Sequence, residues 1–149
     1  MRITLLSLLV LGIVGATSAQ ALTLKEKKQY QAWKTWLADP AQSNIGAAKD
    51  KCGYAIPFTL DQALTTPFME ESSDAAAYCD ELYNALAETC GDDTGKQAVK
   101  AKVTKITCKL GKKEEVSFAL SKTGVLKFTF GVGAANLKDK AKKFLEDNL

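Results

Sequence analysis

Four cysteines, Cys52, Cys79, Cys90 and Cys108, are the residues of this chain whose chemistry is most constrained by spacing. The intervals between them hold 26, 10 and 17 residues, so no C-x-x-C pair of the thioredoxin or zinc-ribbon kind exists. Disulfide formation is the chemistry that remains, and four cysteines allow three connectivities. Cys79 and Cys90 fall on one helical pattern, which puts their Cα atoms about 16 Å apart at 1.5 Å per residue. A bridge reaches roughly 7 Å at most. That removes Cys79–Cys90 and, with it, Cys52–Cys108. Two schemes are left: Cys52–Cys79 with Cys90–Cys108, or Cys52–Cys90 with Cys79–Cys108. The first closes the shorter loops and is preferred on that ground.

The rest of the reactive inventory is thin. The chain has no histidine, and its only arginine is Arg2. No Ser-His or Cys-His nucleophile pair can be assembled, and no imidazole is present to hold a metal. Beyond residue 2 there is no planar guanidinium for bidentate recognition of phosphate or guanine. The acid pairs Glu70-Glu71, Asp80-Glu81 and Asp92-Asp93 are the remaining acid–base material. Adjacent residues on a helix diverge, and no D-x-D-x-D-G calcium loop is present. Asp92-Asp93 stands at a helix start, where the dipole favours acids. Solvated surface is the expectation for all of them. The competing reading is a small secreted hydrolase using carboxylates alone, with Glu70, Glu71 and Asp74 as its acids. It needs two carboxylates facing one cleft roughly 5–10 Å apart.

Gly131-x-Gly133 before a helix has the outline of a phosphate-binding turn. It lacks a third glycine and follows what reads as an antiparallel strand, so a strand-to-helix bend is expected instead. No catalytic residue, metal ligand or cofactor is assigned.

Charge is segregated along the chain. Nine acids and no lysine lie between Asp61 and Asp93, whereas seven lysines and no acid lie between Lys96 and Lys113. The plain expectation is two halves of one domain that attract each other and stay soluble. The sharper one is a basic surface for an anionic polymer.

The elements that must position these residues begin after a leader. Arg2 precedes an apolar run from Ile3 to Val14 that is too short to cross a bilayer, and Ala19-Gln20-Ala21 has the small-x-small form of a signal-peptidase site. Residues 1–21 are thus expected to be a signal peptide, with cleavage near Ala21 and delivery to the periplasm or outside the cell. Of the 149 residues, 128 remain as a single domain, carrying 19 lysines against 17 acids for a formal charge of +2. No later apolar run approaches the roughly 20 residues of a membrane span.

Residues 23–38 have helical period, with Tyr30, Trp33 and Leu37 on one stripe and Trp36 beside it, until Asp39-Pro40 ends the helix. That aromatic stripe is expected to dock on a core. Residues 41–53 read as a loop. Tyr54, Ile56 and Phe58 alternate, with Pro57 confining the segment to a sheet edge or outside a sheet. A helical turn is expected over 59–65, before Pro67. The clearest helix runs over 74–90 and stops at Gly91. Asp93-Thr94 can cap a second through about residue 102. Three alternating segments follow, centred on Ile106-Cys108-Leu110, Val116-Phe118-Leu120 and Leu126-Phe128-Phe130, joined by short glycine-bearing turns. Asn136 and Asp139 resemble a capping box for a last helix ending near Leu149.

The pattern predicts an α+β domain: a three-stranded antiparallel meander, helices packed on one face, held by two disulfides. Its outer face would show Lys105, Thr107, Lys109, Glu115, Ser117, Ala119, Lys127 and Thr129. Lys105, Lys109 and Lys127 are the candidate surface for an anionic partner. No aromatic platform stands among them, which argues against single-stranded nucleic acid, and the lack of arginine argues against sequence-specific readout. An exported, non-enzymatic binding or structural domain is the function expected, with an unknown protein or an anionic polymer as partner and the oligomeric state left open.

Overall fold

The structure, a computed structural model, describes residues 21–149. The expected leader therefore lies, but for Ala21, outside the described residues. Helix α1 spans Leu24–Ala38 and starts with a full capping box, Thr23 accepting from the Glu26 amide while Glu26 accepts from the Thr23 amide. Trp33 and Leu37 are buried and Trp36 is half-buried, so the aromatic stripe docks on the core.

Helix α2, Ile45–Cys52, occupies the stretch expected to be a loop. Its N-cap, Asn44, makes no side-chain cap of its own. The cap comes instead from 36 residues away, where Asp80 accepts from the Asn44 amide at 2.7 Å. Gly53 closes the helix in the left-handed region at φ 78°. Strand β1 is short, Phe58–Leu60, and follows Pro57 at a sheet edge. A 3-10 turn at Gln62–Leu64 leads into α3, Thr65–Glu70, which continues through Pro67. Proline is tolerated there because a first-turn N–H has no intrahelical partner to lose.

Helix α4, Ala75–Thr89, is capped by Asp74 and buries Cys79, Leu82, Tyr83 and Leu86. Helix α5, Asp93–Lys102, is capped by Asp92 rather than Asp93. Strands β2, Lys105–Leu110, β3, Val116–Leu120, and β4, Val125–Phe130, match the three alternating segments. Helix α6, Leu137–Asn148, has no capping box: Asn136 is left-handed and its side chain makes no cap.

The strands do not form the expected antiparallel meander. They make a four-stranded mixed sheet in the order β1-β2-β4-β3, with β1, β2 and β4 parallel and only β3 antiparallel to β4. The apolar content of β4 explains the swap. Leu126, Phe128 and Phe130 are wholly buried, and the central place between β2 and β3 is where a strand loses most surface. The connection from β2 to β3 therefore crosses the end of β4, where Gly111 donates to the Phe130 carbonyl and Gly131 to that of Glu115. A Cβ at Gly131 would lie 1.7 Å from the Lys112 carbonyl oxygen, so only glycine permits the crossing.

The disulfides follow the second scheme, Cys52–Cys90 and Cys79–Cys108, not the one with shorter loops. Loop length gives way to helix direction. The C-terminal end of α4 lies beside the end of α2, with Cys52 and Cys90 Cα atoms 5.0 Å apart, while the first half of α4 lies over β2, with Cys79 and Cys108 6.0 Å apart. Three tyrosines bolt the layers together: Tyr83 donates to the Ile56 carbonyl at 2.8 Å, Tyr30 to that of Leu60 at 2.6 Å, and Tyr54 to that of Val103 at 2.7 Å. Burial pushes the Tyr83 hydroxyl well above its ordinary pKa, so it stays a donor.

Candidate functional site

Alternation along β2 and β4 turns Ile106, Cys108, Leu126, Phe128 and Phe130 toward the helices and leaves the other face to solvent. Lys105, Lys109 and Lys127 are all exposed on that outer face. The register sets their spacing: Lys127 pairs with Thr107, midway between Lys105 and Lys109 on the neighbouring strand. With about 3.3 Å per residue and about 4.8 Å between strands, the three Cα atoms form a triangle with sides of roughly 8, 8 and 13 Å. Thr107 and Thr129 are half-buried around it, and Ser117 and Ala119 on β3 are exposed. Thr59 on β1, in register with Thr107, extends the hydroxyl row; sequence reasoning missed it because β1 was not placed in the sheet.

Two acids touch this face. Asp61 lies 3.7 Å from Lys109, and both side chains are partly exposed, so the pair is screened and weak. Glu115 is occupied by the crossing loop, accepting from the Lys112 amide at 2.7 Å and from Ser117 Oγ at 3.3 Å. The Asp61 contact is the one ion pair among the described residues that joins the acidic segment to the lysine-rich one. The acidic segment is met instead by α6, whose Lys138 and Lys142 flank Glu88 at 3.0 and 3.4 Å. Hydrogen bonds from these two lysines hold the Glu88 pKa below the usual carboxylate range. The lysines of β2 and β4 are thus left largely to solvent.

The acids considered for hydrolysis are deployed otherwise. Asp74 accepts from the Ala76 and Ala77 amides as an N-cap, and Glu70 and Glu71 are exposed at the end of α3. Asp80 is the buried carboxyl. Its two oxygens accept from the Asn44 amide at 2.7 Å and the Asn44 side chain at 2.5 Å, which makes it a latch between α4 and the start of α2. Burial pushes its pKa above the ordinary 3.8, outweighing the two bonds from Asn44 and reinforced by the nearby Glu81. Gly131 and Gly133 serve the strand crossing and the bend into α6, Gly133 at φ 79°. Among the described residues no three of His, Cys, Asp and Glu gather as metal ligands would, and no helix is long and apolar enough to cross a membrane.

The latch role makes a prediction. Replacing Asp80 by alanine is expected to lower stability by about 2 kcal/mol at neutral pH in urea titrations, because the half-buried Asn44 donors lose their acceptor. The pH dependence is separable. A carboxyl whose pKa rises on folding contributes fully below its unfolded pKa, and that contribution is lost as pH rises through the folded value. Relative to Asp80→Asn, the native chain should therefore lose stability on going from acid to neutral pH. A difference that stays flat over this window would remove the buried carboxyl from the account.

Compared with protein-family models, curated proteins and solved structures, the chain matches none.

Proposed function

We propose that this chain is an exported domain that works by binding rather than catalysis, and that its open sheet face receives an anionic polymer. The carrying observation is the triangle of Lys105, Lys109 and Lys127 on a sheet face whose other side chains are mainly small hydroxyl and methyl groups, with Asp61 and Glu115 at its margin. Ammonium groups act as point charges and do not impose the planar geometry of a guanidinium. Such a face suits a repeating sulfate, phosphate or carboxylate lattice and selects poorly among individual ligands. The two disulfides agree with an oxidising compartment.

The test is retention on immobilised heparin. The mature chain should be held more strongly than its formal +2 suggests, and retention should fall steeply toward physiological salt, where the Debye length is about 8 Å. Replacing Lys105, Lys109 and Lys127 together by glutamine should weaken binding about tenfold or more at low salt, with the urea midpoint nearly unchanged, since all three side chains face water. Replacing Lys25, Lys49 and Lys51, which are also exposed, removes the same charge from elsewhere. Equal losses in the two variants would reduce the sheet face to a solubilising coat.

A further inference from the structure

A sheet has two edges, and this one treats them differently. At the β1 edge, residues Pro57, Thr59 and Asp61 point their backbone groups toward β2, as shown by Ile106 donating to Pro57 and Asp61 donating to Cys108. The outward carbonyl of Leu60 is taken by the Tyr30 hydroxyl of α1 at 2.6 Å, and the strand is only three residues long behind Pro57, so this edge is short and partly capped. At the other edge, Ser121 donates to Val125 and Gly131 to Glu115, which assigns the odd residues of β3 to β4. Val116, Phe118 and Leu120 consequently direct their N–H and C=O groups outward. No hydrogen bond within the described residues reaches any of these six groups from outside the sheet.

Edge strands are normally blunted by an inward charge, a proline, a bulge or a covering element. Val116-Ser117-Phe118-Ala119-Leu120 carries none of the first two, and α6 packs beneath its face rather than along its edge, with Phe144 stacked on Phe118 at 5.4 Å. The inward side chains are also unfinished. Val116, Phe118 and Leu120 are half-buried, whereas Leu126, Phe128 and Phe130 on β4 are wholly buried.

We infer that the free edge of β3 is an interface for a second copy of this chain, which adds its own β3 antiparallel about a two-fold axis at Phe118. This register pairs Val116 with Leu120 of the partner subunit and Phe118 with its own counterpart. Each of these pairs consists of residues whose backbone groups point outward, so all six groups can be satisfied at once, while Ser117 and Ala119 alternate with them as non-hydrogen-bonded pairs. The solvent seam holds Ser117 and Ala119, small enough to sit opposite each other. Charge selects the antiparallel direction. Exposed Glu114 precedes the strand, after Lys112 and Lys113, and exposed Lys122 follows it. Two-fold pairing sets Glu114 of each strand opposite Lys122 of the other, and a parallel pairing would set Glu114 beside Glu114 and Lys122 beside Lys122. The product is a closed dimer with one continuous eight-stranded sheet, in which no β3 edge remains to propagate.

The experiment is sedimentation equilibrium of the disulfide-intact chain from Leu22, at concentrations up to ~1 mM, joined to amide exchange by NMR. A monomer–dimer equilibrium is expected. The amides of Val116, Phe118 and Leu120 should exchange fast when dilute and become protected as concentration rises. Val116→Pro removes an outward donor at the first position of an edge strand, where proline is tolerated, and should return the chain to monomer. Lys122→Glu, in an exposed turn and harmless to the fold, should weaken the dimer about tenfold by placing acid against acid at both ends. Adding Glu114→Lys should recover most of that loss. A chain that stays monomeric throughout, or one whose association ignores Lys122→Glu, overturns the proposal. So does a monomer whose β3 edge is protected only by a strand from a different protein.

Discussion

With Cys79 and Cys108 both replaced by alanine, the chain should unfold at a urea midpoint reflecting a loss of about 3–4 kcal/mol, with a somewhat steeper transition because the unfolded chain, freed of one cross-link, exposes more surface. The bridge closes a sequence separation of 29 residues, and Cys52–Cys90 one of 38. Chain-entropy loss grows only logarithmically with loop length, so on that ground the two bridges differ by only a few tenths of a kcal/mol. Position in the fold separates them further. All four cysteines are buried, but Cys79 and Cys108 join the first half of α4 to the inner strand β2, whereas Cys52 and Cys90 join two helix ends. Alanine at 79 and 108 leaves a void that the packed sheet and helix cannot readily close. The Cys79/Cys108 variant should therefore be the less stable of the two. Alanine is the right replacement, because serine would bury two hydroxyls with no partners assigned to them. A domain of this size has about 5–15 kcal/mol in total, so either loss is a large share. A deficit below about 1 kcal/mol, or a non-reducing peptide map joining Cys52 to Cys79, would contradict the arrangement.

Why the shorter-loop pairing was preferred, and why it fails, shows where local reading stops. The α4 pattern of Cys79, Leu82, Tyr83, Leu86 and Cys90 was legible, and it correctly excluded Cys79–Cys90. Choosing between the other schemes needs the direction in which α4 crosses β2, and no residue within α4 states it. The same holds for α2. Residues 45–52 are acceptable helix formers, but Asn44 supplies no side-chain cap and Ser43 Oγ reaches the Ile45 amide only at 3.4 Å, so the firm hold on this end is Asp80 in another helix. At α1, α4 and α5 the N-cap is the residue directly before the helix, Thr23, Asp74 and Asp92, whereas at α2 the firm hold is tertiary and leaves no local sign.

The strands divide in the same way. Alternation locates β2, β3 and β4 and separates core-facing from outward positions, which puts Lys105, Lys109 and Lys127 on one face without knowledge of strand order. Strand order was not legible from alternation, because period two is identical in a central and an edge strand. Five residues between β2 and β3 look like a hairpin turn. One local cue to the crossing did exist. Gly131 directly after an apolar strand marks a close backbone approach, and here the approaching backbone is that of Lys112, in the loop that carries the chain over the end of β4. Taken as a simple bend, the glycine conceals the swap; taken as a contact with a second segment, it reveals it.

Strand order has a thermodynamic consequence that separates the two topologies without a structure. In a β2-β3-β4 meander, β3 is central and Phe118 is the ring most surrounded. In the observed order β4 is inside and β3 is the edge. Phe128 is fully buried, stacked on Phe118 at 4.8 Å with an interplanar angle of 9°, and tilted against Phe130 at 4.6 Å. Truncating it empties the middle of the sheet–helix interface and breaks both ring contacts, so Phe128→Ala should lower stability by about 3–5 kcal/mol. Phe118 keeps one flank toward the open edge, where water already reaches it. Phe118→Ala removes less buried area, leaves a void that solvent can enter, and should lower stability by about 1–2 kcal/mol when measured on the dilute monomer. Dilution matters, because association through β3 would add its own loss at high concentration. Leucine at each position refines the comparison: Phe128→Leu should recover more than half of the alanine deficit by refilling the void, and Phe118→Leu should be close to native. If Phe118→Ala proves the more damaging of the two in dilute solution, β3 is the inner strand and the mixed order is wrong.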